Sequence, residues 1–222
     1  MLKNQILILT GGTISREFAA DYLTGRCFDT VIAADSGLVT LDELKLPVHY
    51  IIGDFDSVPE ELLDRYRQNG GGNPAVTIKK YNPVKDATDT HIAIELALEL
   101  GAEEIVVLGA TGTRIDHLLA NIHLLVLPLQ KNIKASIVDG HNKIYLINRN
   151  MTLCKKEMYG PFLSLLPLTE TVTEVTLKGF KYPLTKRTLH IGESIGVSNE
   201  IAGAQADITL KDGILIAIES KD

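Results

Sequence analysis

Residues 104–117 read Glu104-Ile105-Val106-Val107-Leu108-Gly109-Ala110-Thr111-Gly112-Thr113-Arg114-Ile115-Asp116-His117. After Glu104, residues 105–108 form a short apolar run rich in β-branched side chains, which predicts a strand over 104–108 buried on both faces. A glycine loop over 109–114 follows, and residues 116–127 read as a helix ended by Pro128. A doubly buried strand needs helices on each side of its sheet, so this stretch implies an α/β layer structure.

The same unit recurs outward from it. Gln5–Leu9 is an apolar strand ending in Thr10-Gly11-Gly12, a turn signal. Thr30–Ala34 is closed by Asp35-Ser36-Gly37, with a helix over 38–44 that Pro47 stops. A third strand over 49–52 runs into Gly53-Asp54-Phe55-Asp56-Ser57, and residues 59–67 have the acidic start and basic end of a helix. Three glycines make 69–74 a loop. After a strand-like 76–78, Lys85-Asp86-Ala87-Thr88-Asp89 leads into a helix with Ile92, Leu96 and Leu100 at four-residue steps and Gly101 as its stop. Residues 135–138 give a last strand. The expectation is an α/β domain over 1–140 with a mainly parallel sheet.

Beyond residue 140 the period changes. Val175, Leu177, Ile208 and Leu210 alternate with polar neighbours, as half-buried strands do. Residues 208–210 and 214–218 flank Lys211-Asp212-Gly213, which predicts a hairpin. With no helical pattern past Ile147, residues 141–222 are expected to form a small all-β sandwich or open barrel.

Composition narrows the function classes. The chain of 222 residues is 45% hydrophobic and 23% charged, ordinary for a globular protein, and its apolar runs are too short to span a bilayer. Its net charge of −6 argues against a general nucleic-acid binder. The opening residues carry no basic, hydrophobic leader, and Cys27 and Cys154 show neither CxxC spacing nor a disulfide framework, so a cytoplasmic location is expected.

In an open α/β sheet, ligands bind at the carboxyl ends of the strands. The acidic and glycine-rich loops of this chain fall there. Asp54 and Asp56, two apart at a strand mouth, are hard oxygen ligands suited to Mg²⁺, although a lone pair of this kind also marks a solvated turn. Asp86 and Asp89 share a face at a helix start, where one of them would cap the helix and the other could join the first pair. Four crowded carboxylates repel unless a cation is present, which favours a metal site. Gly109 and Gly112 let backbone N–H groups approach a phosphate, and Arg114 can grip a phosphoryl oxygen with parallel hydrogen bonds. A local Arg114–Asp116 salt bridge and a packed core position for His117 are the competing structural readings. No P-loop run is present.

Read together, Ala34-Asp35-Ser36-Gly37, residues 51–57, residues 85–89, residues 109–121 and Gly196-Val197-Ser198-Asn199-Glu200 resemble the thiamine pyrophosphokinase (thiamine diphosphokinase) family in order and spacing. The resemblance implies a Rossmann-like α/β domain followed by a β-sandwich. It also implies homodimers whose active sites combine the α/β domain of one subunit with the β-domain of the other. By resemblance, Asp54, Asp56 and Asp89 are the Mg²⁺ and phosphate-site carboxylates, with Asp86 close by. Arg114 and Asp116 are ATP-site residues, Asp35 lies near the nucleotide, and Lys85 and Thr88 line the same cleft. Ser198 and Asn199 meet thiamine. Ser36 stands where a second glycine is usual, and the chain has no tryptophan to pack against thiamine.

The implied reaction is attack by the hydroxyl of thiamine on the β-phosphorus of ATP, releasing AMP, with Asp116 or Asp86 taking the proton. The alternatives are a metal-dependent nucleotide or phosphate-ester hydrolase and a nucleotide-binding regulatory module. An acceptor-dependence test separates the first, and ATP binding without turnover would mark the second.

Overall fold

The computed structural model describes residues 4–69, 76–80 and 87–222. Lys85, Asp86 and most of the glycine loop at 69–74 lie outside the described residues. The chain divides into two compact units, Met1–Gly140 and His141–Asp222.

Among the described residues, the first unit is built on six parallel strands: β1 (Gln5–Leu9), β2 (Thr30–Ala34), β3 (Tyr50–Gly53), β4 (Thr77–Lys80), β5 (Glu104–Leu108) and β6 (Lys134–Val138). Their order is β4-β3-β2-β1-β5-β6. From β1 the chain steps outward through β2 and β3 to β4, then returns to place β5 on the other side of β1. The strand order therefore reverses between β1 and β5, where loops leaving the sheet diverge and open a crevice. Ile6, Leu7, Ile8 and Leu9 of β1 and Ile105, Val107 and Leu108 of β5 are fully buried, which explains the unbroken apolar runs.

Helices α1 (Arg16–Leu23), α2 (Gly37–Glu43), α3 (Glu60–Asn69), α4 (Asp89–Glu99), α5 (Ile115–Leu124) and α6 (Val126–Gln130) complete this unit. Helix α1 has no counterpart in the sequence reading. Only Ala19 and Leu23 of it are buried, so its apolar stripe is faint, and its clearest signal is Ser15, whose side chain accepts from the Phe18 N–H. Pro128 does not end a helix. Helix α5 stops at Leu124, and Pro128 sits in the first turn of α6, where a missing N–H costs nothing. Helix α4 ends as expected, with Gly101 left-handed at φ 74.

The second unit is a sandwich. Antiparallel β7 (Asn142–Ile147), β13 (Leu215–Ser220) and β9 (Phe162–Pro167) form one sheet. β11 (Leu184–His190), β10 (Thr171–Lys178), β12 (Gln205–Thr209) and β8 (Met151–Cys154) form the other. Leu163, Leu165, Leu215 and Ala217 of the first share one core with Val172, Val175, Leu177 and Ile208 of the second.

The predicted hairpin is not formed. β12 and β13 lie in different sheets, and residues 211–212 pair with β10 through Lys211 N–H to Thr173 O and Thr173 N–H to Asp212 O. The Lys-Asp-Gly turn is local, but each flanking strand buries its apolar face by joining a different partner strand.

Candidate active site

The crevice of the first unit is an open cleft of about 490 Å³ at the carboxyl ends of the parallel strands. The loop after each of β1, β2, β3 and β5 contributes to it, and the start of α4 closes one side.

Asp35 follows β2 and takes a left-handed backbone (φ 51), held by its N–H to Ile52 O at 2.8 Å. Its Oδ1 is buried without a hydrogen-bond partner among the described residues. Burial raises its pKa above the usual carboxylate value, opposed by the Ser36 backbone N–H and reinforced by the charges of Asp89, Asp54 and Asp56. After β3, Phe55 is also left-handed (φ 69) with its ring buried, a conformation a bulky residue adopts only when the surroundings enforce it. With Phe55 anchored, its neighbours stay at the strand mouth. The Asp56 N–H donates to Asp54 Oδ1 at 3.3 Å, and the Ser57 hydroxyl donates to Asp56 Oδ1 at 2.8 Å.

Carboxylate oxygens of Asp35, Asp54 and Asp56 lie within 4.8 Å of one another. Among the described residues, the trio that meets thus contains Asp35, placed by the resemblance near the nucleotide, rather than Asp89. Asp89 lines the same cleft at the first position of α4. The cap of that helix is Thr88, whose hydroxyl accepts from the His91 N–H, and not one of the two aspartates. A hydroxyl already takes that N–H, so the Asp89 carboxylate is not needed for capping. Three converging carboxylates, one with an orphaned buried oxygen, fit a hard divalent cation: oxygen donors are in place and a charge deficit awaits compensation.

The loop after β5 supplies the opposite character. Arg114 ends it and is locked to Asp116 by two hydrogen bonds, Nη2 to Oδ2 at 2.6 Å and Nε to Oδ1 at 3.2 Å. Both side chains are exposed (69% and 64%), and Arg114 lines the cleft. The local salt bridge weighed in the sequence is therefore present, and it leaves the Nη1 hydrogens of Arg114 for a ligand. Hydrogen bonding to Arg114 pulls Asp116 below the usual carboxylate range, which weakens it as a proton acceptor. His117 is exposed and lines the cleft, so the packed-core reading fails; helix α5 turns it outward while Asn121, one turn on, is buried.

Two features escaped the sequence reading. Thr10, Gly11, Gly12 and Thr13 line the cleft although they read only as a turn. The available signal was their place after a buried strand, the same as that of the other site loops. Asn121 bonds the loop after β5 from within, Nδ2 to Ala110 O at 2.8 Å.

In the second unit, Ser198 is left-handed (φ 55) and exposed, with its N–H on Ser164 Oγ at 3.0 Å. Asn199, expected to meet thiamine, is buried. Its Oδ1 accepts from the Tyr182 and Glu200 N–H groups, and its Nδ2 donates to Tyr182 O. The amide is engaged in fixing two backbone segments, which makes it a structural clamp.

Comparison with known proteins adds an independent line. Residues 25–137 match the family described as "Thiamin pyrophosphokinase, catalytic domain", and residues 150–215 match "Thiamin pyrophosphokinase, vitamin B1 binding domain". The thiamine pyrophosphokinase of Bacillus subtilis (strain 168) is 36% identical over 192 residues, 86% of this chain and 87% of that protein. The chain belongs to the thiamin pyrophosphokinase family.

The crystal structure of thiamine pyrophosphokinase from Bacillus subtilis superimposes with a TM-score of 0.85 at 33% identity, covering 98% of this chain and 99% of that one. The structure from Geobacillus thermodenitrificans gives 0.82 at 32% identity, covering 98% of each. The thiamin pyrophosphokinase catalytic match takes in every cleft residue from Asp35 to Asn121 and leaves the Thr10–Gly12 turn outside. Ser198 and Asn199 fall in the vitamin B1 binding match. Each of these relatives is named a thiamine pyrophosphokinase. Among the described residues, no helix is long and apolar enough to cross a membrane.

Proposed function

We propose that this chain catalyses the family reaction, transfer of a diphosphate group from ATP to the hydroxyl of thiamine with release of AMP, with the cleft of the first unit holding ATP and Mg²⁺. The observation that carries this is that Asp35 and Asp54, which with Asp56 form a carboxylate trio, line one cleft together with the glycine loop at 109–113. Such a site offers a cation-binding edge opposite an anion-binding edge, the two complements that a metal–nucleotide complex presents.

The hydroxyl oxygen of thiamine forms a bond to the β-phosphorus as its proton passes to a cleft carboxylate directly or through water, while the bond from that phosphorus to the oxygen bridging the α-phosphate breaks and AMP departs with the electron pair. Asp54 and Asp56 would hold a Mg²⁺ ion, with Asp35 offering a third oxygen, and the ion would supply positive charge to offset that of the phosphates; Asp89 raises the negative field at the same edge. The backbone of residues 109–113 and the free hydrogens of Arg114 bind phosphate oxygens on the other side, so catalysis is mainly positioning and electrostatic stabilisation. The acidic edge also attracts the cationic thiazolium ring of thiamine. Ser198 contributes to thiamine recognition in the second unit, within the stretch matching the vitamin B1 binding domain.

The enzyme works as a cytoplasmic homodimer with each active site shared between subunits. Exposed Tyr182, Ile191, Ile195 and Val197 in the second unit and Ile115 and Leu119 in the first support self-association. Light scattering at two concentrations tests this.

Incubation of the purified protein with thiamine, ATP and Mg²⁺ should yield thiamine diphosphate and AMP in equal amounts. AMP or phosphate release that does not depend on thiamine would overturn the transferase assignment in favour of a hydrolase.

A further inference from the structure

Two buried polar side chains of the first unit belong to neither the acidic edge nor the Arg114 pair. Thr10, at the end of β1, is 5% exposed, and Asn121, in the second turn of α5, is 7% exposed. Each donates to a carbonyl of the loop after β5: the Thr10 hydroxyl to Gly109 O at 2.6 Å, and Asn121 Nδ2 to Ala110 O at 2.8 Å. The Gly12 N–H also donates to Gly109 O, at 2.8 Å. Successive carbonyls of this loop are therefore fixed by groups from two distant parts of the chain.

A trans peptide is planar, with its C=O and the following N–H pointing in opposite directions. Holding the carbonyls of Gly109 and Ala110 against Thr10 and Asn121 turns the N–H groups of Ala110 and Thr111 away from those anchors. Among the described residues, none accepts a hydrogen bond from the N–H of Ala110, Thr111 or Gly112, and all three line the cleft. The contact is also tight. Gly109 is left-handed at φ 71, and a Cβ there would collide with Thr10 O, while one on Gly12 would collide with Gly109 O.

We propose that Thr10 and Asn121 are positioning residues for phosphate binding, fixing the direction of the N–H groups that the loop at 109–113 presents to the nucleotide. This rests on the assignment of the cleft to ATP. It gives the turn after β1 a role outside the catalytic-domain match, and it makes α5 a support for the loop in front of it. The effect is specific to one substrate, because the anchored peptides face the cleft of the first unit and carry no acidic group.

Three variants test it. Thr10→Val keeps shape and removes the hydroxyl, Thr10→Ser keeps the hydroxyl, and Asn121→Leu keeps approximate shape and removes the amide. Steady-state KM values for ATP and thiamine are measured separately, alongside thermal melts and calorimetric titration of ADP with Mg²⁺. Loss of one anchor should raise the ATP KM and weaken ADP binding roughly tenfold in Thr10→Val and Asn121→Leu. The thiamine KM should stay within about twofold, and Thr10→Ser should behave as wild type. A folded Thr10→Val with unchanged ADP affinity, or ATP and thiamine KM values rising together, overturns the proposal. If Asn121→Leu does not fold, the Thr10 pair decides alone. A wild-type protein that forms no thiamine diphosphate would defeat the assigned reaction, whereas the ADP titration still decides the positioning role.

Discussion

Replacing Asp54 with asparagine should make the metal-free protein more stable and the magnesium-loaded protein less so. Asp54 shares a 4.8 Å neighbourhood with Asp35 and Asp56. At that separation two like charges repel by about 0.9 kcal/mol even in a water-like dielectric. Asparagine keeps the Oδ1 that accepts the Asp56 N–H, so the turn survives while two repulsions vanish. After screening at physiological salt, the relief is about 1–2 kcal/mol, which for a chain of this size is a rise of roughly 2–8 °C in Tm. Saturating Mg²⁺ reverses the order, since a cation at a hundred times its Kd stabilises wild type by about 2.7 kcal/mol, more than the relief, and the variant has lost a ligand. Differential scanning fluorimetry of both proteins in EDTA and in Mg²⁺ reads the crossover, and turnover of the variant should fall by about a thousandfold or more. If the variant melts lower than wild type in EDTA, or if Mg²⁺ raises both melts equally, the three carboxylates are not a cation site.

Asp35 gives a pH signature. Its folded pKa is raised, so the stability associated with it is full below the ordinary carboxylate value of 3.8 and is lost as pH rises through the folded value. The Tm advantage of Asp35→Asn over wild type in EDTA should therefore grow with pH above about 4, and a flat difference would show that burial does not penalise its charge. Ser198→Ala should raise the thiamine KM more than the ATP KM; equal effects would remove Ser198 from the thiamine pocket. Glu219 is 3% exposed and accepts from the Tyr145 hydroxyl at 2.9 Å and the Tyr159 N–H at 2.6 Å. Glu219→Ala removes the acceptor that both donors share and should destabilise the fold by about 2–5 kcal/mol in denaturant unfolding, with turnover per folded molecule retained.

Much of the site was visible in the chain because its loops follow buried strands. Each of Asp35, Asp54 and Gly109 comes directly after, or at the end of, an apolar run that can only be a central strand, and an open parallel sheet puts such positions on one edge. What stayed hidden depended on who sits beside whom. The resemblance grouped Asp89 with Asp54 and Asp56, and Asp89 does line their cleft; that oxygens of Asp35 also meet those of Asp54 and Asp56 follows from the adjacency of β2 and β3, a property of strand order. The resemblance placed Asn199 at thiamine, and only the fold shows that its amide bonds the backbone of residues 182 and 200.

The amino-acid order alone determined the division into an α/β part and a β part, because hydrophobic periodicity is a local record of which faces are buried. It also set the chemical character of the cleft, through the clustering of aspartates and glycines at strand ends. Tertiary structure decided three things the order could not: that β12 and β13 separate into different sheets, that Asp35 completes the carboxylate trio, and that Thr10 and Asn121 grip one loop from positions 111 residues apart in the chain. Each rests on contacts between distant segments, whose free energy comes from burying surface against a partner that no local pattern names.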